Sequence, residues 1–269
     1  MQKRVIIITA DELRHNYFIK KVSTFKNIKL IYSLCEKKNT REGYNIIKKN
    51  KKNNILSKHF LNRDKSEKIF FQSFIKKKKI KIKKIIINKS EFNNNKKIIT
   101  KIKKSNPDII ISYGCSIIKG QLLKLYQKKI INIHLGLSPY YRGSGTNFWP
   151  FVTKKLQLIG ATFMIIDSGI DTGPILFQLR ARIYPGDKIH DVGNRLIMDM
   201  TEKTEEIINN FHYIKPEKKY KKNIRTYKKK DFGKNELTQA QNNIKKNIVE
   251  KYLNNKKKLD KLFPIKDYY

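Results

Sequence analysis

The glycines of this chain are concentrated in one third of its length, and this feature most limits how the chain can fold. Ten of the twelve glycines in the 269 residues lie between positions 114 and 193, and four of the seven prolines lie between 139 and 185. Glycine and proline mark places where the backbone needs unusual dihedral angles or a close approach. Shaped loops are therefore expected in this third, and loops held on a rigid framework often carry function.

Apolar runs alternate with amphipathic segments along the chain. The segments "RVIIIT", "DIIISYG" and "KIINIH" have the length and composition of buried strands. The segments "DELRHNYFIKKVSTF" and "DKIHDVGNRLIMDMTEKTEEIINNF" carry apolar residues at helical spacing. This alternation predicts an α/β fold: a Rossmann-like, mostly parallel twisted sheet with helices on both faces. Ligands in such folds bind at the carboxyl ends of the strands.

Two regions are expected along the chain. Residues 1–214 carry the strand and helix pattern and form the predicted main domain. Residues 215–269 are basic and polar, and they form a short helical extension in which one weak helix over 236–253 packs on the domain.

The formal net charge is +39, which first suggests a nucleic-acid binder. The excess is spread over both flanks, with +27 in residues 1–129 and +12 in residues 215–269. A dedicated RNA-binding face would concentrate the charge and interleave aromatic residues. Because lysine, asparagine and isoleucine rise together, compositional drift is the preferred interpretation, and selected polyanion binding is the alternative.

The cysteines and apolar runs exclude several classes of protein. Cys35 and Cys115 are far apart and no Cys/His ligand spacing exists, so neither a metal site nor a disulfide framework is expected. The apolar run at residues 5–8 is too short for a signal peptide, and no run approaches membrane-spanning length. A soluble cytoplasmic protein with no membrane partner is expected.

The segment "KIINIHLG" places two polar residues on one side of a strand. Alternate strand residues share a face, so Ile131 and Ile133 point into an apolar layer while Asn132 and His134 point to the other side. An amide donor beside an imidazole suits a carbonyl oxygen that gains negative charge. Alternatively, Asn132 simply ends a strand and His134 is an ordinary loop residue.

A second shaped loop lies in "IIDSGIDTGPI". Asp167 ends a strand, and Asp171 lies in a turn bounded by Gly169 and Gly173. Aspartate and glycine are common in turns, because aspartate bonds its own backbone there. Asp171 is therefore either a turn residue or the carboxylate partner of Asn132 and His134.

These two segments resemble the folate-dependent formyltransferase family. "NIHLGLSPYYRGSG" is similar to its pattern Asn-x-His-Pro-Ser-Leu-Leu-Pro-x-x-(Arg/Lys)-Gly, and "GATFMIIDSGIDTGPILFQ" to its Gly-x-Thr…Asp-x-Gly-x-Asp-x-Gly pattern. The resemblance is strong over residues 107–195 and weaker over 1–106. It implies transfer of a formyl group from 10-formyltetrahydrofolate to an amine, with Asn132, His134 and Asp171 as catalytic residues and without a metal.

The resemblance also implies where the two substrates bind. The folate is expected against two loops, whose residues are Tyr113, Ser116, Ile117, Ile118, Asp167, Ser168, Gly169 and Ile170. For Ile117 and Ile118, core packing is an equal alternative. Cys115 is expected to be a small apolar filler. The predicted acceptor side comprises Tyr140, Tyr141, Arg142 and Trp149. For Arg142, fixing its own loop is an equal alternative, and for Trp149 core packing is the preferred interpretation.

The acceptor is the least constrained part of the prediction. The family's Pro-Ser-Leu-Leu-Pro is replaced by Leu-Gly-Leu-Ser-Pro at residues 135–139. This change, and the resemblance of residues 5–18 to sugar-modifying relatives, favours a small amine such as a nucleotide-linked amino sugar. Because such relatives are often dimers, a homodimer is left open, although the sequence shows no interface signature. Initiator methionyl-tRNA is the alternative, since the tail is basic. Formyl-folate hydrolysis and a non-catalytic polyanion-binding scaffold are further alternatives.

Overall fold

The computed structural model describes residues 2–37, 54–78, 80–218 and 224–267. Within those ranges the backbone is organised around one seven-stranded sheet and one short two-stranded pair. The strands are β1 (Lys3–Ala10), β2 (Ile28–Glu36), β3 (Lys84–Ile87), β4 (Ile109–Tyr113), β5 (Ile130–His134), β6 (Arg142–Gly143), β7 (Gly160–Ile165), β8 (Ile175–Arg180) and β9 (Thr226–Tyr227).

Helices cover both faces of the large sheet. They are α1 (Leu13–Val22), α2 (Ile55–Lys77), α3 (Lys96–Ser105), α4 (Gly120–Tyr126), α5 (Trp149–Thr153), α6 (Ile189–Asn209), α7 (Lys234–Lys245), α8 (Ile248–Asn254) and α9 (Lys256–Lys261).

The large sheet has the strand order β3-β2-β1-β4-β5-β7-β8. Its first five strands are parallel, whereas β7 is antiparallel to both β5 and β8. The predicted Rossmann-like, mostly parallel sheet is therefore confirmed, with one reversed strand. Because β7 is reversed, the loop that follows it starts beside the beginning of β5, where Ile165 at the end of β7 pairs with Ile131.

Strand alternation divides the core into two layers. Val5, Ile7 and Ile111 lie in one layer, which α1, α2 and α6 cover. Ile6 and Ile8 lie in the other layer, which α3 and α4 cover. Side chains of successive strand residues point to opposite faces, so near-continuous apolar strands are what a sheet covered on both sides requires.

Local sequence explains where individual helices begin and end. The Asn95 side chain accepts hydrogen bonds from the backbone N–H groups of Lys97 and Ile98, which caps α3. The helix then buries one apolar face and ends where Asn106 adopts a left-handed conformation with φ of 40°.

Residues 224–267 share the core of the residues that precede them. Leu237, Ile248 and Tyr252 are buried in the same hydrophobic cluster as Phe18 of α1. Near the end of the described chain, Lys266 runs beside β8, where the backbone N–H of Gln178 donates to the Lys266 carbonyl. This part of the predicted extension is thus integrated into the domain and not merely attached to its surface.

Several element boundaries differ from the prediction. The segment "SIIKGQLLKLYQKK" predicts a helix over 116–129, but the helix begins only at Gly120 and ends at Tyr126. The segment "ILFQLRARI" predicts a strand over 175–183, but the strand ends at Arg180. The single tail helix expected over 236–253 is two helices, because Asn247 takes a left-handed φ of 58° between them. The sequence between about residues 40 and 80 has no regular pattern apart from a predicted helix over 57–75, and part of it lies outside the described residues, as do tail residues 219–223, 268 and 269.

None of the helices in the described ranges is long and apolar enough to cross a membrane. Within the same ranges, no three histidine, cysteine or acidic side chains are grouped so that they would hold a metal ion.

The shared core predicts that a tail substitution destabilises the whole domain. Leu237→Ala removes a fully buried side chain, so we expect a loss of about 2–5 kcal/mol in the free energy of unfolding, measured by urea denaturation. Leu262→Ala is the matched control, since Leu262 is exposed and its loss should cost less than about 0.5 kcal/mol. A separate early transition for the tail, with the main transition unmoved, would contradict the shared core.

Candidate active site

Strand β5 presents the two polar residues of the site on one face. Ile131 and Ile133 are almost fully buried in the core layer under α1 and α6. Asn132 and His134 therefore project to the opposite side of the sheet. The alternation predicted for "KIINIH" is thus present in the structure, and burial of the two isoleucines fixes it.

Asn132 is oriented by its neighbour on β4. Ser112 pairs directly with Asn132 across the two parallel strands, and its hydroxyl donates to Asn132 Oδ1 over 2.9 Å. Because Ser112 binds the amide oxygen, the amide nitrogen points away from β4. This nitrogen, Nδ2, lies 3.4 Å from Asp171 Oδ1. An amide nitrogen carries two hydrogens, so one remains for a substrate oxygen.

His134 is held through its other ring nitrogen. Nε2 lies 3.0 Å from the Tyr141 carbonyl oxygen. Because a carbonyl only accepts, Nε2 must carry a hydrogen, and in the neutral ring Nδ1 is then the basic atom. Nδ1 lies 3.4 Å from Asp171 Oδ1, and the imidazole is mostly buried. The basic ring nitrogen of His134 thus faces the Asp171 carboxylate.

Asp171 connects these residues. Its Oδ1 atom lies 3.4 Å from both Asn132 Nδ2 and His134 Nδ1, while Oδ2 accepts a 2.8 Å hydrogen bond from the Gly143 backbone N–H. Its backbone adopts a left-handed φ of 52°, which aspartate tolerates better than most residues. The loop between β7 and β8 starts beside the beginning of β5, yet Asp171 reaches both Asn132 and His134.

The remainder of that loop is organised by its own bonds. Asp167 Oδ1 accepts from the Gly169 backbone N–H over 3.0 Å and from the Thr172 hydroxyl over 2.7 Å. Asp167 thus performs the turn-forming role that its sequence suggests. The next three residues of the predicted folate set, Ser168, Gly169 and Ile170, are exposed.

The predicted folate residues that follow β4 take three different positions. Tyr113 and Ile118 are buried in the core, as the packing alternative expects for Ile118. Ser116 is held through its backbone N–H and hydroxyl, which both donate to the Glu36 carboxylate at the end of β2. Ile117 alone projects into solvent and is 56% exposed. Together with Ile170 it offers a large apolar side chain on each predicted folate loop.

Most of the predicted acceptor residues form hydrogen bonds or packing contacts with other residues of the protein. Trp149 is buried and donates through Nε1 to the Ser144 carbonyl, as the packing alternative expects. Tyr141 is buried with its hydroxyl on Thr153, and burial raises its pKa to about 12. Arg142 donates to the carbonyl of Ile224 over 2.8 Å, which fixes its own loop. Tyr140 is partly exposed and packs edge-on against Phe263.

A buried polar network braces the loop after β5. Gln178 Nε2 donates to the Ser138 carbonyl over 2.7 Å and lies 3.1 Å from Thr162 Oγ1. Thr162 in turn donates to the Gly136 carbonyl and accepts from the Ser138 N–H. Ser138 Oγ lies 3.5 Å from the Asp171 carbonyl oxygen.

Several supporting groups were absent from the sequence prediction. Ser112, the Gly143 N–H, Thr162 and Gln178 all contact the predicted site residues or their loop. Ser112 follows from aligning β4 with β5, since it pairs with Asn132. A backbone donor such as the Gly143 N–H has no signal in residue type.

Cys115 lies just after β4, and burial raises the pKa of its thiol well above the ordinary value. The thiolate is the reactive form, so this environment suits the predicted role of a small apolar filler.

Comparisons with known proteins find formyltransferases both in sequence and in fold. The formyl transferase family model matches residues 19–208. A methionyl-tRNA formyltransferase from Thermodesulfovibrio yellowstonii is 36% identical over 114 residues, which are 39% of this chain and 36% of that protein. A GDP-perosamine N-formyltransferase from Brucella melitensis is 34% identical over 104 residues, which are 38% of this chain and 40% of that protein. The chain thus matches little more than a third of these relatives' length.

A solved structure extends the similarity in fold. The sugar N-formyltransferase from a Shewanella species aligns over 88% of this chain and 87% of its own, with a TM-score of 0.57 and 17% identity. That identity is low enough that the likeness concerns the fold alone. The family model, however, covers well over half of the sequence, and the chain therefore belongs to the formyl transferase family.

Proposed function

We propose that this protein is an N-formyltransferase that moves a formyl group from 10-formyltetrahydrofolate to a primary amine. The observation that carries the proposal is the convergence of Asn132 and His134 on one carboxylate oxygen of Asp171. Formyl transfer needs a donor for the developing oxyanion and a base for the amine proton. An amide N–H and an imidazole nitrogen that face the same carboxylate meet both needs.

Asn132 stabilises the oxygen in this scheme. Its second amide hydrogen is donated to the formyl oxygen, which gains negative charge as the amine attacks the formyl carbon. Ser112 keeps the amide from rotating, so the donor is oriented before the reaction begins. Loss of one preorganised oxyanion donor typically lowers turnover by about 10²–10³-fold.

His134 handles the proton. Its Nδ1 accepts the proton that the attacking nitrogen loses, because Nε2 is committed to the Tyr141 carbonyl. Asp171 stabilises the imidazolium, and the same proton then passes to the folate nitrogen as its bond to the formyl carbon breaks. The distances of 3.4 Å are long for hydrogen bonds, and contacts of this kind often tighten when substrates bind.

The predicted folate loops suit an aromatic donor. Ile117 and Ile170 are large apolar side chains that remain exposed, on the loops after β4 and β7. Burial of such side chains by a ligand is favourable by roughly 25 cal/mol per Å² of apolar surface. These two residues would contact the folate ring, and the backbone of 168–170 would offer polar groups.

A nucleotide-linked amino sugar is the proposed acceptor. One relative of 34% identity is a GDP-perosamine N-formyltransferase. The chain's net charge of +39 would also attract an anionic nucleotide, and that attraction would weaken with salt. A homodimer stays a prediction.

Initiator methionyl-tRNA is the second candidate, and one surface feature favours it. A groove of about 380 Å³ beside α3 is lined by Lys83, Lys97, Lys101 and Lys104, with Tyr32 and Thr100 among its other residues. Within the described residues, no carboxylate lies within ion-pair distance of these four lysines. Such a groove would suit phosphate groups.

The acceptor is tested by tetrahydrofolate release from 10-formyltetrahydrofolate, followed by absorbance. The arms are buffer alone, nucleotide-linked amino sugars and charged initiator tRNA. We expect release that depends on an amino sugar. Release only with tRNA, lost in Lys97→Gln/Lys101→Gln/Lys104→Gln, would favour the second candidate. Release in buffer alone would indicate a hydrolase, and silence in every arm by a folded protein would favour a non-catalytic scaffold.

Two variants test the catalytic residues. Asn132→Ala and His134→Ala should each lower turnover by at least about 10²-fold, because each removes a group used in the transition state. Donor binding, measured by calorimetry, should change less than about threefold. The exposed His212→Ala serves as control and should leave both quantities unchanged. Near-normal turnover in either site variant would overturn its assignment.

The altered loop at residues 135–139 has a local explanation. A side chain at Gly136 would place its Cβ 2.5 Å from His134 Nε2 and 2.8 Å from Thr146 Cβ. Thr146 thus fills the space beside Gly136, where the family pattern has serine, and its hydroxyl donates to the Leu135 carbonyl. The departure from the family pattern is therefore compensated within the site.

Restoring the family serine should consequently harm this enzyme. Gly136→Ser forces the His134 ring to move, and a displacement near 1 Å typically costs about 10²-fold in turnover. Gly136→Ser combined with Thr146→Gly should recover part of that loss, because the second change opens space. Turnover is the measurement. Full activity in the Gly136→Ser single variant would contradict this account of the loop.

A further inference from the structure

We propose that residues 224–227 of the C-terminal extension are a positioning element for Asp171. This segment, named here the tail strap, holds the loop of residues 141–144 so that the Gly143 N–H points at the Asp171 carboxylate. The inference rests on the proposed function, because it assigns a role within the same site. The family model ends at residue 208, so the tail strap lies outside the matched region.

Backbone pairing is the first support. Strand β9 in the tail strap pairs with β6, which contains Gly143 itself. Beside it, the Ser144 N–H donates to the Tyr227 carbonyl over 2.8 Å. Gly143 has a φ of 92°, and any Cβ there would collide with that same carbonyl. Only glycine lets the two backbones approach this closely.

Side-chain stacking is the second support. The Tyr227 ring stacks on Trp149, with centroids 4.5 Å apart and planes 20° from parallel. Tyr141 lies against the same ring, with centroids 5.7 Å apart. Trp149 Nε1 donates to the Ser144 carbonyl, and the Tyr141 carbonyl holds His134 Nε2. Tyr227 thus contacts Trp149, which is bonded to Ser144 of the loop, and Tyr141, which is bonded to His134.

A third contact joins the other end of the tail strap to the loop. The Arg142 guanidinium donates from Nη2 to the Ile224 carbonyl over 2.8 Å. Contacts at Ile224 and Tyr227 therefore bracket Gly143 on both sides along the loop.

The Gly143 N–H has a specific consequence for the chemistry. A hydrogen bond from a backbone N–H to a carboxylate is charge-assisted and directional. By engaging Oδ2, it leaves Oδ1 facing both Asn132 Nδ2 and His134 Nδ1. If the loop drifted, Asp171 would rotate away from both groups. Turnover should then fall while donor binding, which depends on other loops, remains.

The test compares three variants of the full chain. Tyr227→Ala removes the stacking ring, Tyr227→Phe retains it, and Phe232→Ala is the matched control. Phe232 is a tail aromatic whose ring packs on those of Phe148, Phe60 and His59, and it lies outside the tail strap. The readouts are kcat and KM for both substrates, donor binding by calorimetry, and amide hydrogen exchange over residues 142–146 by mass spectrometry.

We expect Tyr227→Ala to lower kcat by about 10–10²-fold, with the KM for the donor within about threefold. Exchange over 142–146 should accelerate at least tenfold in that variant. Tyr227→Phe should retain near-normal kcat and slow exchange. Phe232→Ala should lower thermal stability comparably and leave kcat and exchange within about threefold of wild type.

Two results would overturn the role of the tail strap: unchanged exchange over 142–146 in Tyr227→Ala, or an equal loss of kcat in Phe232→Ala and Tyr227→Ala. A wild type without formyl transfer to any amine would instead defeat the proposed function. In that case hydrogen exchange still decides whether the tail strap holds the Gly143 loop, because it needs no turnover.

Discussion

The burial of Ile131 and Ile133 is the constraint on which the site depends. Both isoleucines are held in the core layer under α1 and α6, so β5 has no freedom to change its register by one residue. Asn132 and His134 are consequently fixed on the opposite face, where Ser112 and the Tyr141 carbonyl set their orientation. Hydrophobic packing of the two isoleucines therefore determines the direction in which the Asn132 amide and the His134 imidazole point.

Asp171 depends more than Asn132 or His134 on other loops for its position. Its backbone is left-handed, its loop starts beside the beginning of β5, and its carboxylate is engaged by a glycine N–H from another loop. That glycine loop in turn is paired with the tail. Residues of β5 and of the Gly143 loop therefore meet at the Asp171 carboxylate, and the tail contacts this arrangement through its pairing with the Gly143 loop.

Much of the fold and of the candidate site, namely Asn132, His134 and Asp171, could be predicted from the sequence. Period-two alternation in "KIINIH" predicts that Asn132 and His134 share a face, and paired glycines mark the Asp171 loop. The direction of β7 was not predictable, since an apolar run looks the same in either orientation. The stacking of Trp149 on Tyr227, 78 positions later, was not predictable, because no local pattern reports such a contact. The Gly143 N–H was missed because a backbone donor leaves no trace in residue type.

The most direct test of the proposed formyl transfer is a crystal structure of the protein with tetrahydrofolate and the formylated form of the proposed acceptor. We expect the formyl oxygen within about 2.7–3.1 Å of Asn132 Nδ2, and the new amide nitrogen facing His134 Nδ1. Asp171 should keep its bond to the Gly143 N–H. Two results would contradict the assignment of these residues to formyl transfer: a formyl group bound away from Asn132 and His134, or an Asn132 amide flipped so that Nδ2 faces Ser112.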